Sequence, residues 1–155
     1  MRLRALLNLL DRLGAWIAPL GLRLLLAYEF WRDGLEKFHG QNWFVEIRER
    51  LPFPLHLLPP EISWQIALWF ELIGAIALLL GLGTRLFAAA LSILTLVAIA
   101  SVHAGAGYNV CANGWKLPLI YLAMFLSLIL TGPGKLSLDY RLCGRFLSSE
   151  RRLWS

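Results

Sequence analysis

The sequence predicts an all-α, polytopic membrane protein: a transmembrane four-helix bundle with a long outer first loop. Three observations lead there. Four apolar runs, 13–31, 64–82, 86–102 and 115–130, lie at or near the roughly 17–25 residues that cross a bilayer core as helix. Hydrophobic residues make up 58% of the 155-residue chain, and mean hydropathy is +0.61. A soluble domain runs about 45–50% apolar, so lipid must cover the excess. Finally, Arg23, Glu29 and Glu71 sit inside runs that are otherwise apolar. A charge at bilayer depth costs roughly 2.5–3.5 kcal/mol even on the lenient insertion scale, so such residues face the bundle interior.

The length corresponds to one transmembrane domain over 1–155. Its first run follows Arg2, Arg4 and Arg12, as a signal peptide would. It is too long for one, carries Arg23 and Glu29, and ends in Trp-Arg-Asp-Gly without a small-x-small cleavage site, so it reads as a retained span. The first loop, 32–63, opens with Arg32–Glu36 and Asp33–Lys37 at i,i+4 spacing, expected to stabilise an exposed turn that extends the helix. Its stretch 51–60 is apolar but too rich in proline for a helix, and fits an interfacial connector or a cap over the outer mouth. The second and third runs meet in a tight helical hairpin at 81–85. Both carry small residues, among them Gly74, Ala75, Ala88 and Ala89, which let membrane helices approach closely or support a homo-oligomer. After the fourth run, Gly132-Pro-Gly ends the helix. The tail 132–155 interleaves Leu, Tyr and Phe with Lys135, Arg141 and Arg145, which suits an amphipathic segment on an anionic cytoplasmic leaflet.

The net charge of +5 gathers at the chain ends and points to a membrane surface, with no nucleic-acid partner. Nine Lys and Arg fall on the side of the termini and five on the side of the longer loops. The positive-inside rule then puts both termini in the cytoplasm of a bacterial inner-membrane protein. Cys111 and Cys143 flank the last run and fall on opposite faces, which excludes a bridge between them.

These expected spans give each charge a depth. Glu71 lies seven residues below the outer end of the second run, about 10 Å, and Arg23 eight below the outer end of the first, about 12 Å. An Arg23–Glu71 pair is the simplest way to tolerate both. Glu29, Lys37, His39, His103 and Lys116 converge above it at an outer mouth. One reading is a structural salt bridge with snorkelling neighbours. The other is a site for a polar ligand, a proton or a quinone head group, built from Arg23, Glu29, Lys37, Glu71 and His103. A weaker metal reading takes His39, His56, His103 and Cys111 as copper ligands, although none has C-x-x-C or H-x-x-x-H spacing.

Arg23, the segment 34–37, Glu71 with Gly74, Gly81 through Arg85, His103 and the closing Gly-Pro-Gly-Lys-Leu-Ser-Leu-Asp at 132–139 resemble the DoxX family of integral membrane proteins. Residues 26–31, 42–44 and 53–54 are similar to its HvfX branch. That branch is associated with post-translationally modified, copper-binding peptides and their iron-dependent modifying enzymes; other members are linked to thiosulfate:quinone oxidoreduction or oxidative-stress complexes. The resemblance implies an inner-membrane accessory protein of a redox or copper-stress system, more a docking component than an enzyme by itself, with a periplasmic peptide or redox partner. The alternatives are a quinone-linked oxidoreductase subunit supplied by an outside electron donor and a small-solute transporter.

Overall fold

The structure, a computed structural model, describes residues 2–142, apart from the side chains of Arg2, Ala5 and Arg12. Cys143 and the end of the surface segment expected over 132–155 lie outside the described residues. Helix α1 runs Arg2–His39, the one-turn α2 Phe44–Ile47, α3 Pro60–Leu80, α4 Thr84–Ala98 and α5 Lys116–Thr131. The described residues contain no strand. Helices α1, α3 and α4 with its extension are long and apolar enough to cross a membrane; α5 is a shorter apolar helix.

Helix α1 packs chiefly on α3, α4 on α5, α3 on α4 and α1 on α5, which closes a ring of four helices. All four contribute to one core: Leu26, Ala27 and Phe30, then Ala75 and Leu78, Ala88 and Leu91, and Phe125 and Leu128. The Phe30 and Phe125 rings meet at 5.3 Å, tilted by 58°. Their opposite faces remain apolar and exposed, as with Leu25, Tyr28, Trp69, Ile73, Ile76, Ile93 and Leu126. Burial in water cannot drive helices with apolar backs together, so packing depends on close fit within lipid. Gly34 and Gly74 supply that fit: a Cβ on either would come within 2.7 Å of Leu72 Cδ2 or 2.9 Å of Leu91 Cδ1.

The first span was expected to end at Trp31 with an exposed turn extending the helix over 32–37; α1 does continue, to His39. Charged residues usually mark the membrane edge. Here Arg32, Asp33, Glu36 and Lys37 lie along one helical face bordering a cavity, with Asp33 and Lys37 half-buried and Arg32 and Glu36 exposed at its rim. At 38 residues and about 1.5 Å each, α1 is nearly twice the ~30 Å hydrocarbon core. Its first buried residue is Pro19. Arg23 therefore sits at the terminal side of the bundle, far below the depth assigned from a helix ending at Trp31.

The hairpin between α3 and α4 takes its shape from two left-handed glycines, Gly81 (φ +69°) and Gly83 (φ +56°). The segment after α5 folds back on it. Asp139 accepts hydrogen bonds from Gly83 N at 2.7 Å and Thr84 N at 2.9 Å, while its own N–H donates to Gly81 O at 3.0 Å. A carboxylate 55 residues downstream in sequence thus caps α4, whose first turn has no acidic residue of its own. A Cβ on Gly81 would stand 2.6 Å from Ser137 Cβ and 2.7 Å from Arg23 Cζ. Gly81→Ala is expected to destabilise the purified protein by at least about 1–3 kcal/mol from backbone strain alone, with the steric clash in addition. Thermal unfolding in detergent, with the lipid-facing Ile76→Ala as reference, checks it; equal melting temperatures would contradict it.

Candidate functional site

The buried charges form two separate centres. The first is Arg23, 1% exposed. Its Nε donates to Leu78 O at 2.8 Å and Nη2 to Leu79 O at 3.0 Å. Nη1 donates to Pro133 O and Leu136 O, both at 2.9 Å. The two α3 carbonyls lie in the last turn, where backbone donors run short; Leu78 O also accepts a 3.2 Å bond from the capping Gly81 N–H. A planar guanidinium suits this geometry, because its fixed fork reaches several acceptors at once. Asp139 adds a nearby negative charge. Arg23 thus places four of its five N–H donors on backbone carbonyls and does not reach Glu71.

Glu71 instead meets Lys37, whose Nζ lies 2.9 Å from Oε2. This is the only ion pair within 4.0 Å among the described residues, so neither Arg32–Glu36 nor Asp33–Lys37 closes along the helix. The contact is ionic rather than an aligned hydrogen bond, and Oε2 accepts none from elsewhere. The Glu71 side chain is 8% exposed, and that of Lys37 is 16% exposed. Along α3, Glu71 and Leu78 are seven residues apart, about 10 Å, which keeps the two centres distinct.

The Lys37–Glu71 pair borders a cavity of about 610 Å3 on the loop side of the bundle. From α1 come Glu29, Arg32, Asp33, Glu36 and Lys37; from α3, Glu71; from α5, Tyr121. The Tyr121 phenol stands beside Glu29, and Asp33 has both Glu29 and Lys37 as charged neighbours. The first loop closes one wall through Phe44, whose ring packs edge-on against Trp64 at 5.2 Å. Past Ala98 the helix widens into a π-helical turn, Ile99–His103, which brings His103 to the rim. His103 Nδ1 lies 2.6 Å from Asn113 O. A carbonyl oxygen only accepts, so Nδ1 carries a proton toward Asn113 O.

Of the residues singled out in the sequence, Glu29, Lys37, Glu71 and His103 line this one cavity, whereas Arg23 does not. His39 Nδ1 lies 2.9 Å from Leu35 O, and the His56 ring sits by Phe53. Cys111 is exposed with a free thiol. Among the described residues no three His, Cys, Asp or Glu side chains group closely enough to hold a metal ion, so the four candidate copper ligands do not converge. Arg32, Asp33, Glu36 and Tyr121 were not expected in the site. Glu29, Arg32, Asp33, Glu36 and Lys37 do follow i, i+3, i+4 spacing, which is the signature of a shared helix face.

Residues 18–104 match the family model described as DoxX. The chain belongs to the DoxX family. That match runs from just before Pro19 through His103, so it includes Arg23, Gly81 and the charged wall of the cavity, and stops before Asp139. A relative from Haemophilus influenzae is 53% identical over 127 residues, covering 82% of this chain and 84% of its own. A second from the same organism is 31% identical over 126 residues, covering 76% and 85%. Both bear the name "Uncharacterized protein". No solved structure matches this DoxX protein.

The two centres have different couplings. In a double-mutant cycle on unfolding, Lys37→Met and Glu71→Gln are expected to couple by about 0.5–3 kcal/mol, while Arg23→Gln and Glu71→Gln add within about 0.5 kcal/mol. Coupling in the second pair would reinstate a direct Arg23–Glu71 interaction.

Proposed function

We propose that this DoxX protein is an inner-membrane accessory component of a redox or copper-stress system, with both termini cytoplasmic. It binds a small ligand, or a partner's side chain, in the loop-side cavity. The observation that carries the reading is the placement of a minimally bonded ion pair, Lys37–Glu71, beside a cavity of about 610 Å3 at the loop side of the helices. A buried pair that served packing alone would be expected to have its remaining lone pairs filled, because leaving them empty costs stability. The volume falls within the roughly 300–1,000 Å3 usual for small-molecule sites. The redox or copper-stress setting comes from the resemblance to HvfX-like sequences. The cytoplasmic termini come from the nine-to-five distribution of Lys and Arg.

In a strain lacking the native gene, Glu71→Gln and His103→Ala are expected to reduce copper tolerance while membrane levels stay at those of the wild type. Wild-type tolerance in both, at equal protein levels, would remove the copper-stress reading. Extraction of gently solubilised protein identifies what the cavity carries. Stoichiometric quinone that disappears in Glu71→Gln would redirect the assignment to an electron-transfer subunit.

A further inference from the structure

We infer that the ligand of this cavity is a small organic cation, which exchanges with the Lys37 ammonium for the Glu71 carboxylate. The inference rests on the ligand-binding reading above and names the chemical class.

Charge is the first argument. The cavity is lined by four carboxylates, Glu29, Asp33, Glu36 and Glu71, against two basic side chains, Arg32 and Lys37, a formal excess of two acidic groups. Arg32 and Glu36 are exposed and largely cancel in solvent. That leaves Glu29, Asp33 and Glu71 facing Lys37 alone, a formal excess of acidic over basic groups in a part-buried site. There each uncompensated charge acts more strongly than in water. A cation relieves the imbalance, whereas an anion adds to it.

The second argument is the state of the deepest acceptor. Glu71 Oε2 is buried, borders the cavity and accepts no aligned hydrogen bond. Its one contact is an ammonium on a flexible four-carbon stem, two residues from the end of α1. Lys37 behaves as a tethered stand-in for a ligand's ammonium or guanidinium. Asp33, one turn earlier on the same face and already a charged neighbour, can receive Lys37 when the ligand arrives. The exchange then leaves one cation on Glu71 and one on Asp33, while Glu29 keeps the Tyr121 phenol as its neighbour.

The walls complete the description of the ligand. Phe30, Trp64 and Tyr121 border the same space, which suits a cation attached to an apolar or aromatic body.

The test uses the full chain in nanodiscs of zwitterionic lipid, with empty nanodiscs as baseline. Calorimetric titration compares phenethylammonium with neutral phenethyl alcohol and anionic 3-phenylpropionate, which share the ring and differ in charge. Wild type is expected to bind the ammonium at least about tenfold more tightly than either analogue. Lys37→Met, which removes the competitor, is expected to tighten ammonium binding about tenfold, and Glu71→Gln to abolish the preference. Tryptophan fluorescence and melting temperature check folding, and Lys37→Met carries the test if Glu71→Gln fails to fold. Equal affinity for all three probes overturns the cation assignment while the cavity remains a binding site. Tighter binding of phenylpropionate overturns it too, and so does absence of binding in both wild type and Lys37→Met. The extraction experiment above judges the ligand-binding reading separately.

Discussion

One guanidinium holds the terminal side of this bundle together. Arg23 joins the last turn of α3 to the segment after α5 through four hydrogen bonds to backbone carbonyls. Lipid offers no water to open carbonyls, so the end of a membrane helix must find donors within the protein. Arg23 supplies them, and Gly81 makes the room, since a Cβ there would overlap the guanidinium. Asp139 performs the reciprocal task for the opening N–H groups of α4. A helix end and the next helix start are thus satisfied by two charges from distant parts of the chain, which ties α1, the α3–α4 hairpin and the closing segment into one unit.

The second centre follows the opposite logic. Arg23 has four of its five N–H donors on backbone carbonyls, whereas Lys37 and Glu71 share one ionic contact at the edge of open space. A densely bonded buried charge is a structural element; changing it costs stability. A sparsely bonded one can accept a further partner, because its remaining lone pairs already lack bonds to lose. The two centres lie on the same helices and differ in what surrounds them. That difference, more than burial as such, separates scaffold from candidate site.

Much of the fold was legible in the chain. The apolar runs, the glycine hairpin and the proline-rich connector each follow from local chemistry, and each corresponds to a feature of the structure. The depth of Arg23 was not legible, since it was measured from a helix end placed at Trp31. Local hydropathy cannot distinguish charges that meet water from charges that line a cavity, and α1 carries the second kind through Lys37. The periodicity of residues 29, 32, 33, 36 and 37 was the available signal, and it favours a single helix face over an exposed turn.

The sequence by itself determined that this is a multi-pass, all-helical membrane protein of the DoxX family with charges inside its spans. Composition and periodicity suffice for the multi-pass helical architecture, because the bilayer admits few backbone solutions, while the family follows from the matching residues. Which charges meet was decided only by the tertiary structure. Arg23 and Glu71 are separated by about two turns of α3, and Lys37 comes within 2.9 Å of Glu71, only when α1 is continuous to His39 and crosses α3 at Gly34. Pairing depends on helix register and crossing, which are properties of packed surfaces and do not appear in any single segment.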